Sequence, residues 1–150
     1  MKKLLFFLPI LFFSFKGTPS KKFVITVKQW AMISAGDMTV RVTNDSISAT
    51  GRNYRNEEYG FENGITSSQE KKVLAALNAI DLTNLKENYV DDNAADDKEE
   101  FDFIFEVDGN KTRTHVYLIE VKELLELVKC INTMMPDDMQ IVYDEKYLKK

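Results

Sequence analysis

The stretch FDFIFEVDGNKTRTHVYLI, residues 101–119, decides the fold class. Phe101, Phe103, Phe105 and Val107 alternate with Asp102, Ile104 and Glu106, a period of two that gives a strand one apolar face and one largely polar face. Asp108-Gly109 follows, and that pair supplies the positive φ angles of a tight hairpin turn, so KTRTHVYLI returns antiparallel to the first strand. A hairpin with one apolar face needs a second layer to cover it.

The sequence on either side supplies that layer. Downstream, EVKELLELVKCINTMM has a helical period, with Val121, Leu124, Leu125, Val128 and Ile131 on one side and Glu120, Lys122, Glu123, Glu126 and Lys129 on the other. Pro136 with two aspartates closes it, and MQIVY reads as a last short strand. Upstream, SSQEKKVLAALNAI reads as another helix, with Ser67 and Glu70 as a capping box and Val73, Leu74, Leu77 and Ile80 on one face. DLTNL then tucks Leu82 and Leu85 beneath it. Nearer the start, FVITVKQWAMI, DMTVRVT and SISATG carry strand signals and are joined by turns at SAGD and Asn44-Asp45. The segment RNYRNEEYGFENG reads as a strand end plus a polar excursion. This order predicts an α+β domain over residues 21–150: an antiparallel sheet of hairpins covered on one face by two helices. No internal repeat or domain linker interrupts it.

Residues 1–20 read as an address. Lys2 and Lys3 precede an apolar run from Leu4 to Phe15 broken by Pro9 and Ser14, and GTPS follows, which is the layout of a secretory signal peptide. The run is shorter than the roughly 20 residues that span a bilayer, so no stable membrane insertion is expected once it is removed. Ser20 with Thr18 is the best small pair for cleavage. An exported protein in the periplasm, on the cell surface or secreted is the expectation. The removed segment holds three lysines and no acids, which leaves 17 basic against 24 acidic side chains and a net charge of −7. That acidity repels phosphate backbones and anionic headgroups, so a nucleic-acid partner is not expected. Cys130 is the only cysteine, which rules out an internal disulfide.

Taken in order, DSIS, KKVLAALNAIDLTNLKE, EFDFIFEVDGNKTRTHVYL and VKELLELVKCI resemble a set of small exported proteins of Bacteroidota-type bacteria without an assigned function, over roughly residues 38–132. Members often carry Tyr-Asp-Gly before the strand that here starts at Phe101, where this chain has DDKEEFD. The resemblance implies an exported α+β domain and carries no site residues. In size and layout the chain is also faintly similar to the emfourin-type inhibitors of bacterial metalloproteases, which implies an inhibitor of an extracellular protease as an alternative role.

Catalytic and metal chemistry find little to rest on. VDDNAADDKEEFD, residues 90–102, packs seven carboxylates into thirteen positions. Aligned from Asp91 on a helix-loop-helix calcium loop, it has Ala95 at the fifth position and Asp96 where the sixth must be glycine, so that template fails at its turn. The run reads as a solvated connection, with an irregular calcium site built from Asp91, Asp92, Asp96 and Asp97 as the alternative. His115 is the only histidine, too few for a two-histidine zinc motif, and reads as structural on the more exposed face of its strand with Arg113 and Tyr117. No G-x-S-x-G elbow, glycine-rich phosphate loop or cofactor motif occurs. Cys130 sits among Val128 and Ile131 as a small hydrophobe.

The chain is therefore expected to be non-catalytic, to need no cofactor and to act through contacts with a protein partner. Arg52, Tyr54, Arg55 and Tyr59, with Phe61, are the candidate contact residues, because Arg and Tyr are favoured at interfaces and loops on a rigid scaffold commonly carry recognition. A second reading stands beside it, in which Tyr59 and Phe61 close the sheet edge over the core.

Overall fold

The computed structural model describes residues 21–31, 36–53, 55–90 and 100–143. Among them, seven strands form one mostly antiparallel sheet that is joined by two α-helices, an α+β architecture. The strands are β1 (Phe23–Ala31), β2 (Gly36–Thr43), β3 (Ser46–Arg52), β4 (Glu58–Gly64), β5 (Asn88–Val90), β6 (Glu100–Val107) and β7 (Asn110–Tyr117). The helices are α1 (Ser67–Asn78), between β4 and β5, and α2 (Lys122–Asn132), after β7. The sheet order is β4-β3-β2-β1-β6-β7-β5, and only the β5–β7 pairing is parallel.

The hairpin of residues 101–119 is β6–β7, with Phe101 opposite Val116 and Phe103 opposite Thr114. Asp108 at φ 48° and Gly109 at φ 85° form its turn, as the Asp-Gly pair predicts. Strand β1 pairs with β6 so that Ile25, Val27 and Gln29 face Phe105, Phe103 and Phe101. These residues, with Val40, Val42, Ile47 and Ala49 of β2 and β3, occupy one face and are all buried. The same hydrophobic cluster takes in Val73 and Leu77 of α1 and Leu124, Leu125, Leu127, Val128 and Ile131 of α2. Phe101, Phe103 and Phe105 form an aromatic ladder along it, and Tyr143 meets the first two edge-on.

Three local expectations need correction, and one strand stands where none was expected. The excursion after Arg52 is a full strand: β4 pairs with β3, setting Tyr59 opposite Gly51 and Phe61 opposite Ala49, after a turn in which Asn56 takes φ 60°. The helix cap lies one residue earlier than Ser67, since Thr66 accepts from the Gln69 N–H while Gln69 Oε1 accepts from the Thr66 N–H. Glu70 is instead used by Asn44, whose Nδ2 donates to it. Residues 88–90 form a strand too short to register as a period. MQIVY is not a sheet strand; Met139 ends a 3-10 turn, and the chain then runs on as a strap held by side chains.

That strap is fastened at three points. Asn132 both accepts from the Ile141 N–H and donates to its carbonyl, at 2.9 Å each. The buried Gln29 accepts from the Val142 N–H at 3.1 Å. The Tyr143 hydroxyl donates to the Ile119 carbonyl and accepts from the Val121 N–H, pinning the β7–α2 connection where Leu118 takes φ 57°. Burial pushes the Tyr143 phenol up to about 12.

Candidate functional site

Alternation along each strand sends every second side chain to the face opposite the hydrophobic cluster. On that open face β1 presents Lys28 and Trp30, β6 presents Glu100, Asp102 and Ile104, and β7 presents Arg113, His115 and Tyr117. Two cross-strand rows result. One runs Lys28, Asp102, His115, Asn88. The next runs Asp37, Trp30, Glu100, Tyr117, Val90.

Asp102 departs from the alternation expected of it. Although it lies on the open face, it is only 3% exposed. Its carboxylate accepts from Arg113 Nη2 at 2.6 Å and lies 3.1 Å from His115 Nδ1, so one oxygen serves each partner. The guanidinium is itself 62% exposed, so the pair is a buried anion under a wet cation. A carboxylate taken out of water must keep such partners, because an unpaired buried charge costs several kcal/mol, on the order of 3–5 when one member of a buried pair is removed. His115 lies on the open face with Arg113 and Tyr117, and Asp102 holds its imidazole at Nδ1. On the open face the sheet neighbours of this pair are Lys28, Glu100, Ile104, Arg113, Tyr117 and Asn88. Periodicity alone could not reveal the buried acid; the available signal was an Asp directly opposite a His on the neighbouring strand, with an Arg on the diagonal, once the Asp-Gly turn had fixed the register.

In the second row, Trp30 is 40% exposed and Val90 43%, two of the large apolar side chains that the fold leaves in water. Tyr117, between them, is half-buried.

The expected contact residues are divided by the sheet. Arg52 is exposed on the open face and pairs with Glu58 at 3.0 Å. Tyr59 faces the other way, half-buried, its ring so close to Gly51 that a Cβ there would lie 2.6 Å from the hydroxyl. Phe61 packs against the core beside it. Burial, then Asp37, raises the Tyr59 phenol above its ordinary value. Arg55 is exposed in the β3–β4 turn, where its N–H donates to Asn53 Oδ1. Tyr54 lies outside the described residues, as do Asp91, Asp92, Asp96 and Asp97. Among the described residues no group of three or more His, Cys, Asp or Glu side chains is placed to hold a metal ion. Cys130 is half-buried against the core, and desolvation raises its thiol while Lys72 opposes that rise. No helix among the described residues is long and apolar enough to cross a membrane.

Compared with models of known protein families, with curated proteins and with solved structures, the chain matches none of them.

Proposed function

We propose that the chain is a non-catalytic exported domain that acts through protein contacts, with the two helices closing one face of the sheet and the other face offered to a partner. The observation that carries this reading is the row of Trp30, Glu100, Tyr117 and Val90. Tryptophan and tyrosine supply large, rigid contact area, and an exposed tryptophan on a flat sheet face is the kind of anchor around which interfaces concentrate their energy. Asp102 and His115 in the adjoining row, with Arg113 on the far side of Asp102, give that surface fixed hydrogen-bonding groups beside its apolar anchor. Export rests on the basic, apolar and small-residue layout of residues 1–20 and on the resemblance to small exported proteins.

A photo-crosslinking amino acid placed at Trp30, with a second variant carrying it at Glu123 on the exposed side of α2, tests the reading in the native envelope. One discrete protein adduct from position 30 and none from position 123 is the expected result. Equal labelling from both positions, or robust hydrolase turnover by the purified protein, would overturn it.

A further inference from the structure

A cleft lies at one end of the sheet, away from the open face, where the strap crosses between β1, β2, β4 and α2. Its volume is about 480 Å³, within the range of small-molecule sites. We infer that this cleft is a binding site for a small organic cation, an amine carrying an apolar alkyl or aromatic body.

Its walls favour an apolar body. Met38, Leu125, Met139, Ile141 and the ring of Tyr59 line it, and methionine with tyrosine makes a soft, polarisable surface that adapts to shape. A cation over a tyrosine face gains further attraction. Its mouth favours positive charge. Asp137 and Asp138, both exposed, line it. Among the described lining residues the basic one is Lys129, which pairs with Glu126 at 3.0 Å. Negative charge around a partly enclosed space concentrates cations and repels carboxylates and phosphates.

The cleft is also preformed. Gln29 and Asn132, which line it, hold the Val142 and Ile141 backbone by hydrogen bonds and so fix the strap that makes one wall. Gly51 contributes by omission. Any side chain there would meet the Asp37 carbonyl at 2.3 Å and the Tyr59 ring, so glycine lets that ring lie where it lines the cleft. A site whose walls are set before the ligand arrives loses less entropy on binding. The inference is independent of the proposed protein-contact face.

The test uses the full folded domain and three probes of matched shape: phenethylamine as the cation, 2-phenylethanol as its neutral counterpart and phenylacetate as an anion. Binding is read by amide NMR shifts at the Val142 backbone N–H and the Gln29 and Asn132 side-chain amides. Saturable shifts at these groups are expected with the amine, roughly tenfold weaker binding with the alcohol and weaker still with the acid. The double variant Asp137→Asn, Asp138→Asn, in an exposed 3-10 turn, should fold normally and lose most of the amine's advantage while leaving the alcohol unchanged. Half-molar salt should have the same effect as the variant. Equal affinity for amine and alcohol, shifts that map elsewhere or do not saturate, or a double variant that binds the amine as well as the parent would each overturn the inference.

Discussion

The hairpins β6–β7 and β3–β4 use the same antiparallel pairing, and they differ in what their two faces meet. Strand β6 sits near the middle of the sheet, with Phe101, Phe103 and Phe105 buried on one side and Asp102 buried on the other. Strand β4 is the sheet's edge; Tyr59 and Phe61 are half-buried and its remaining residues are exposed. A central strand is held by neighbours on both sides and by side chains above and below, while an edge strand relies on one ladder and on two rings laid over Gly51 and Ala49. The glutamates of β4, Glu58 and Glu62, suit that position, because charge on an edge discourages pairing with another chain.

The largest expected difference lies in the aromatic rings. Phe103→Ala removes a fully buried ring from the ladder and should destabilise the domain by about 3–5 kcal/mol. Phe61→Ala should cost about 1 kcal/mol, since a half-buried ring forfeits only part of its transfer free energy. Urea denaturation of both variants measures the contrast. Equal losses would mean that β4 is as integral to the core as β6, and the comparison would fail.

A similar contrast holds for the ion pairs. Asp102→Ala leaves His115 without its Nδ1 partner and Arg113 without its carboxylate, and should cost about 1–3 kcal/mol. Arg52→Ala breaks an exposed pair on the edge hairpin, and should cost less than about 1 kcal/mol. If the two variants unfold at the same urea concentration, the burial of Asp102 carries no energetic weight.

This division is also what made one hairpin legible in the sequence and the other not. In FDFIFEV every second residue is large and apolar, because that face is wholly covered, and the turn pair Asp-Gly fixes the register. In EYGFENG only Tyr59 and Phe61 mark the alternation, since an edge strand needs few apolar residues, and Gly60 and Asn63 look like loop. The stripe of α2 was equally plain: each of Val121, Leu124, Leu125, Val128 and Ile131 is buried as its spacing predicts. The Thr66 cap was displaced by one residue because Thr66–Gln69 and Ser67–Glu70 satisfy the same spacing, and the choice depends on Asn44, 26 positions away, taking Glu70. The strapped cleft was beyond local pattern for the same reason: its residues meet only after the sheet order brings β1, β2, β4, α2 and the C-terminal strap together.

The two tyrosines that border these hairpins sharpen the comparison by pH. Tyr143, against the β6 ladder, ionises near 12, above the ordinary 10 of the unfolded chain, because burial disfavours its phenolate. Its folded value is raised, so its contribution to stability is complete below pH 10 and is lost as pH rises from 10 through about 12. Tyr59, on β4, is raised too, by burial and then by Asp37. Ultraviolet titration should show Tyr59 ionising above the ordinary tyrosine range and before Tyr143, and Tyr143→Phe should remove the last step. In that variant stability should fall less between pH 10 and 12, and its neutral-pH cost, from two lost backbone hydrogen bonds, should be about 1–3 kcal/mol. Titration of Tyr59 last would reverse the assignment of which hairpin is the better covered.

The smallest effect is expected from calcium, and it concerns the acidic run that leads into β6. A ligand stabilises a fold only by preferring the folded state to the unfolded one. Carboxylates at the density of VDDNAADDKEEFD repel one another, and without glycine at the turn position of a calcium loop they gain no common focus on folding. Millimolar calcium should then leave the unfolding temperature almost unchanged. A real site with a dissociation constant of about 10 μM would add about 2.7 kcal/mol at 1 mM calcium, which is a rise of several degrees in a domain of this size. The triple variant Asp92→Asn, Asp96→Asn, Asp97→Asn separates a specific site from general screening of the chain's net negative charge. A calcium-induced rise of several degrees in the parent, absent from the variant, would assign these aspartates to a metal site. The approach to β6 would then be held by an ion, and the stability of the central hairpin would depend on calcium in a way that of β3–β4 does not.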